Sequence, residues 1–313
     1  MVDSKQQWKA WIYLAPAIVL LLVFTVWPIF NTVRMAFLEN YSGLKAAAGA
    51  QFEFGLGNFL KVLEYKRFLQ CLKNTCLLCV LTVPISTILA LLIAVALNSI
   101  KFLQKGLQTI FFLPYVTNSI AIGMVFAAMF NIVGSFYGTE NELIVTAGII
   151  NNVIEFFGGT HINWINYGST YAANMFVMVV YIVWNALPFK ILILLGGLQG
   201  INKQYYDAAR VDGTPKWRVL TRITVPLLSP MLAYTVITSF IGGFKEYSSI
   251  VGIFGEKMGP PSDPYSLDTM VGFIYRSLSN QEGTASAAAL ILFGIIFVVT
   301  MINLAVSKKT THY

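Results

Sequence analysis

The chain is short of charge. Asp, Glu, Lys and Arg make up 11% of its 313 residues, against about a quarter in an ordinary soluble domain. A soluble fold would have to bury more apolar side chains than a chain of this length can enclose. Cysteine is scarce: Cys71, Cys76 and Cys79 fall together, and with no second cluster to complete a metal site they read as small buried hydrophobes. The two histidines, His161 and His312, form neither a ligand pair nor a catalytic dyad. There is no Gly-x-x-x-x-Gly-Lys-Ser/Thr phosphate loop, no paired carboxylate and no nucleophile–base set in the apolar segments. Nucleotide hydrolysis is therefore excluded from this chain, and nothing in it reads as an enzyme. A transmembrane β-barrel is excluded too, because the apolar segments do not alternate.

What the sequence has instead is long uncharged runs: 10–33, 74–100, 106–139, 156–189, 223–244 and 283–307. Each reaches the ~20 apolar residues that a bilayer crossing needs. The expected fold is an all-α polytopic membrane bundle of about six spans, roughly 11–37, 72–97, 108–132, 170–197, 225–245 and 284–306. The net charge of +7 in a soluble protein would point to nucleic acid. Here the basic residues sit beside the spans, as the positive-inside rule demands, and no nucleic-acid partner is expected. With the N-terminus inside, Lys5, Lys9, Lys101, Lys105, Lys203, Arg210, Lys216, Arg218, Arg222, Lys308 and Lys309 are all cytoplasmic. The loop 133–169 carries Glu140, Glu142 and Glu155 without Lys or Arg and falls outside. Residues 38–71 disagree, being external yet carrying Lys45, Lys61, Lys66 and Arg67. The apolar spacing over 59–72 predicts an amphipathic helix on the outer surface, in contact with lipid.

Two parts are expected: 1–71, the first span with this external segment, and 72–313, the core. The first run starts like a signal peptide but is too long and lacks a small-residue cleavage site, so it reads as an uncleaved helix. Pro16, Pro28, Pro84, Pro114 and Pro188 fall within spans, where each removes a backbone hydrogen bond and bends the helix.

Between the fourth and fifth runs lies a charged island over 200–226. It reads as two short helices at an angle. Asn202 caps the first, and Gly213 supplies the left-handed stop. Thr214 caps the second, with Pro215 in its first turn. Pro226 leads into the next span.

The island resembles the coupling loop of type I ABC importer permeases, whose pattern is Glu-Ala-Ala-x-x-x-Gly with Ile-x-Leu-Pro further on. The matching residues are Tyr206, Asp207, Ala208, Ala209, Asp212 and Gly213, then Ile223, Val225 and Pro226. Asp207 replaces the usual Glu, one methylene shorter. Further along the chain, Gly55-Leu56-Gly57-Asn58-Phe59, Asn74-Thr75, Phe111-Phe112-Leu113-Pro114 and Ile149-Ile150-Asn151-Asn152 with Trp164 resemble the carbohydrate, maltose/glycerol-phosphate branch.

That resemblance implies a permease subunit of an ATP-driven, binding-protein-dependent importer for a sugar or oligosaccharide in a prokaryotic plasma membrane. Both termini would be cytoplasmic. It implies a second, different permease, two cytoplasmic ATPase subunits holding ATP and Mg, and an extracytoplasmic solute-binding protein. The helix around Asp207–Asp212 would dock into the ATPase as a rigid lever. The fourth and fifth core spans would line the sugar site, at Asn185, Ala186, Phe189, Ser239, Gly243 and Glu246. Lys190 is open to two readings, a lining residue or a side chain that snorkels to a headgroup. Other polar solutes (a phosphate ester, a polyamine) and a standalone transporter are the competing readings.

Overall fold

The computed structural model describes residues 7–100, 104–137, 143–279 and 281–310. Lys5, Lys101, Glu140, Glu142 and His312, which entered the charge reading, lie outside them. The helices are α1 (Gln7–Leu21), α2 (Trp27–Phe37), α3 (Gly43–Ala47), α4 (Gly57–Glu64), α5 (Lys66–Ser99), α6 (Gln104–Val116), α7 (Ser119–Phe130), α8 (Ile149–Phe156) and α9 (Tyr171–Gly200). They continue as α10 (Lys203–Val211), α11 (Lys216–Val219), α12 (Val225–Leu227), α13 (Ser229–Phe244), α14 (Ser248–Phe254), α15 (Met270–Leu278) and α16 (Glu282–Thr310). The departures from the all-α expectation lie in loops. Strands β1 (Ile132–Tyr137) and β2 (Leu143–Ala147) pair antiparallel, and Leu38 bridges Phe54.

Four helical stretches are long and apolar enough to cross a membrane: Trp8–Phe37, Lys66–Ser99, Tyr171–Gly200 and Glu282–Lys308. The runs expected as single helices over 108–132 and 225–245 are bent pairs. Gly106–Val116 and Ser119–Phe130 meet at 98°, and Lys216–Leu227 and Ser229–Phe244 at 71°. The first break has a local cause: Asn118 takes an extended backbone, and its Oδ1 accepts from the N–H groups of Ile120 (2.8 Å) and Ala121 (3.4 Å), starting a new helix just after Pro114. At the second break Pro226 and Pro230 flank the turn, and neither can donate a helical hydrogen bond.

The chain divides into two compact units. One holds the residues up to Phe68 together with Phe273–Phe293. In it α1 and α2 run on through a π-helical turn, Leu22–Val26. None of the apolar window of this span is buried by the chain itself, so its side chains are left to lipid or another subunit. The Gly55-Leu56-Gly57-Asn58 stretch closes the following loop. Gly57 N donates to Glu39 Oε1 at 2.9 Å, and buried Asn58 donates to the carbonyls of Ala36 (3.1 Å) and Leu38 (2.7 Å). The helix expected over 59–72 is interrupted: α4 stops at Tyr65, which is extended, and α5 starts at Lys66.

The second unit holds Leu69–Gly272 and Gly294–Tyr313. Its axis is α9, thirty residues and about 45 Å long at the helical rise. Two apolar clusters grip α9 at different heights. Met178, Tyr181 and Ile182 pack with Leu78, Phe130 and Ile250. Further along, Ile191, Leu194 and Leu198 pack with Ala90, Ala94 and Leu228. With lipid as solvent such packing is driven by close fit rather than by water exclusion. Small residues permit it: a Cβ on Gly123 of α7 would fall 2.7 Å from the Gly252 Cα of α14.

Candidate functional site

The charged island folds as a helix, a stop and a restart. Asn202 Oδ1 accepts from the Gln204 N–H at 3.0 Å, capping α10 as its residue type predicts. At the other end Gly213 has φ +62°. The Thr214 N–H donates to the Ala209 carbonyl at 2.9 Å and the Gly213 N–H to that of Arg210 at 3.2 Å. These two bonds are a Schellman closure, and they satisfy carbonyls that the helix end would otherwise strand. Thr214 does not cap α11. The helix starts only at Lys216, so the N-cap position falls to Pro215, which has no side-chain oxygen to cap with.

α10 has two faces. Asp207, Ala208 and Asp212 are exposed, as are Tyr205 and Val211, the latter 88%. Asp207 and Arg210 form a loose pair at 3.8 Å on the exposed side. Ala209 is buried and Tyr206 half-buried, its hydroxyl 3.3 Å from Thr224 Oγ1. Of the two adjacent alanines, Ala208 is therefore free for close approach by another protein, and Ala209 packs against its own chain.

Between the two apolar clusters lies a cavity of about 270 Å³, bounded by α5, α6, α9, α13 and the α13–α14 turn. It brings together all six residues singled out in the fourth and fifth spans: Asn185, Ala186, Phe189, Ser239, Gly243 and Glu246. Asn185 lies about 20 Å along α9 from Tyr171, near the middle of that helix. Phe189 stacks on Tyr115, with centroids 5.7 Å apart and planes at 18°. Gly243 is a packing requirement, because a Cβ there would meet Cys79 Sγ at 2.8 Å. Glu246 Oε1 accepts from the Tyr247 and Ser249 N–H groups, each at 3.1 Å. Ser239 back-bonds to the Thr235 carbonyl at 2.5 Å.

Lys190 does not snorkel. It is 3% exposed and lines this cavity. Nζ donates to Ser86 Oγ (2.6 Å), Thr87 Oγ1 (3.0 Å) and the Val83 carbonyl (3.4 Å). Both hydroxyls spend their own protons on helix carbonyls: Ser86 on Thr82 at 2.5 Å and Thr87 on Val83 at 2.7 Å. Their lone pairs are thereby turned to the ammonium. Burying such an ion costs several kcal/mol, and hydrogen bonds to a charged donor return about 1.5–3 kcal/mol each. The acceptors are all neutral.

At the far end of α9 two asparagines organise the loops. Asn74 donates to the carbonyls of Ser266 (2.9 Å) and Asp268 (2.8 Å) and accepts from the Tyr171 hydroxyl at 2.8 Å. Buried Asn151 exchanges bonds with the Ile162 backbone, at 3.0 and 3.1 Å, and accepts from Trp164 Nε1 at 3.1 Å. Next to them is an open cavity of about 1050 Å³, lined by Asn131, Asn163, Asn166, Glu256 and Lys257 among others.

Reading the sequence missed Tyr115, Thr82 and Ser86 as cavity residues. Spacing could have found the second and third. Thr75, Cys79, Thr82 and Ser86 fall at helical intervals, one polar stripe on a long apolar helix. Tyr115 directly follows the Phe111–Pro114 motif and carried no signal of its own.

Comparison with known proteins shows the family and the fold. The family described as "Binding-protein-dependent transport system inner membrane component" matches residues 62–312, and this chain belongs to it. It is a membrane-embedded transport component. The chain is 31% identical over 297 residues to the lactose transport system permease protein LacF of Rhizobium radiobacter, covering 94% of this chain and 91% of that one. It is 28% identical over 302 residues to the arabinooligosaccharides transport system permease protein AraP of Bacillus subtilis (strain 168), covering 95% and 88%. Its fold matches a chain of a bacterial alginate ABC transporter, solved in complex with an alginate pentasaccharide-bound periplasmic protein. There the TM-score is 0.75 at 22% identity, over 98% of this chain and 96% of that one.

Proposed function

We propose that this chain is one of two different permease subunits of an ATP-driven importer for a sugar or oligosaccharide. The observation that carries the coupling role is the exposed helix α10, closed by Gly213 and braced by Tyr206, on a chain of this family. Docked in a cleft of a cytoplasmic ATPase, α10 passes the closure of two ATPase subunits on ATP and Mg to the segment that begins at α11 and continues into α13. Tyr206, Asp207, Ala208, Ala209, Asp212 and Gly213 form this element, with Asp207 and Ala208 at the contact and Ala209 and Tyr206 holding the helix down. Both termini are then cytoplasmic, each bent pair counts as one of six spans, and the membrane is the inner membrane of a prokaryote.

Carbohydrate as the cargo rests on the relatives, named for lactose and arabinooligosaccharides, and on the chemistry of the mid-depth cavity. Asn185, Ser239 and Glu246 supply hydrogen-bonding atoms, and the Tyr115–Phe189 pair supplies an aromatic surface beside space left by Gly242. The asparagine-lined outer cavity is the place for the solute-binding protein to deliver. Affinity purification of the chain from its own membranes tests the whole. The expected result is co-purification of an ATPase and a second permease, with ATP hydrolysis raised by a sugar-loaded binding protein. Purification as a lone chain, or hydrolysis indifferent to every sugar, would refute it.

A further inference from the structure

We propose that Lys190 makes the mid-depth cavity selective for a solute bearing an anionic group, a carboxylate or a phosphate ester, held against the wall formed by α5 and α9. This rests on the cavity being the solute site. The cavity holds two ionisable side chains of opposite sign, but they are not in the same situation. Glu246 is not paired to Lys190; it turns one oxygen to two backbone N–H groups at the start of α14. Lys190 meets two hydroxyls and a carbonyl, and among the described residues no carboxylate lies within ion-pairing distance of it.

The acceptors around Lys190 take its three N–H bonds without bringing a negative charge to it. Ser86 and Thr87 cannot turn away, because each hydroxyl proton is already given to a helix carbonyl. An ammonium fixed in this way at the middle of a membrane protein leaves a positive field in a space of low dielectric. Charges buried in membrane spans face interior cavities and pair with one another or with backbone carbonyls. Among the described residues Lys190 meets two hydroxyls and one carbonyl but no carboxylate, so the countercharge comes with the solute. A Lys ammonium acts on carboxylate or phosphate as a point charge, with no demand for a planar fork, so both anions fit. A neutral sugar finds the three Nζ protons already given to Ser86, Thr87 and Val83 and leaves the charge unmet.

The test uses the assembled importer in nanodiscs without its binding protein, whose own selectivity would mask that of the cavity. Equilibrium binding is measured for a neutral disaccharide, the same disaccharide oxidised at C6 to its uronate, and its 6-phosphate. The expected order is anionic over neutral, and the uronate and phosphate arms tell which anion the cavity takes. Lys190→Gln should reduce anion affinity at least about tenfold while leaving neutral affinity within a few-fold. Lys190→Arg, which keeps the charge, should retain the preference and so separates lost charge from misfolding. Glu246→Gln should strengthen anion binding, since a repelling charge is removed. Neutral sugar bound as well as the anions, or a preference that survives Lys190→Gln, would overturn the charge assignment and leave the importer reading intact. Absence of binding by every sugar would overturn both.

Discussion

The hydroxyls of Tyr206 and Thr224 lie 3.3 Å apart and tie the middle of the exposed helix α10 to the π-helical turn Leu220–Thr224 that precedes α12 and α13. A displacement of α10 is thus passed on through a side-chain contact as well as through the backbone at Gly213. Tyr206→Phe removes that contact. A neutral hydrogen bond of this kind contributes about 0.5–1.5 kcal/mol, so the chain should still assemble. Sugar imported per ATP hydrolysed should fall several-fold, measured in proteoliposomes.

Gly213→Val addresses the turn itself. At φ +62° a β-branched residue is strained by ~1–3 kcal/mol, and the two closing bonds to Arg210 and Ala209 would loosen. Insertion into the membrane should be unchanged and transport reduced at least about tenfold, while Gly213→Asn, which tolerates left-handed backbone, should keep most of it. Uptake assays alongside a membrane-fraction blot check both.

Gly123→Ala is a stability prediction. Its Cβ would fall 2.7 Å from the Gly252 Cα and 2.9 Å from the Gly252 carbonyl carbon, and a backbone neighbour cannot swing aside. Overpacking of this kind costs about 1–3 kcal/mol. Thermal unfolding of the detergent-solubilised protein should move down by several degrees, and Gly242→Ala, where nothing lies within 4 Å, should leave it unchanged.

Asn151→Leu leaves the Trp164 indole N–H and the Ile162 backbone groups without their partner. Each stranded buried group costs about 1–3 kcal/mol. The loop should lose its fixed form, read as a shift in Trp fluorescence, and stimulation of ATP hydrolysis by the binding protein should weaken.

Much of this architecture is legible in the sequence because lipid imposes a simple demand. Long uncharged runs locate the spans, and Asn202, Gly213 and Pro226 mark the ends of the charged element through their own backbone preferences. The breaks inside two runs are not legible in hydropathy. At Asn118 an uncharged polar residue in an apolar run serves as a helix cap, and the apolar average hides it. The loop hairpin is hidden by low regularity, and the Thr214 cap is lost because the second helix starts one residue later, with Pro215 at its N-cap. The environment of Lys190 depends on α5 and α9 meeting, more than 100 residues apart in the chain. Its own neighbours in sequence give no sign of Ser86 or Thr87.

The position of α10 carries the account, and chemical labelling reads it most directly. Val211, 88% exposed at the end of α10, is replaced by Cys and treated with a membrane-impermeant maleimide in inside-out and right-side-out vesicles, with the parent chain as blank. Labelling is expected from the cytoplasmic face alone, and it should be suppressed when the ATPase is assembled and restored when the ATPase is stripped away. Labelling from the outer face, or labelling indifferent to the ATPase, would contradict the coupling role.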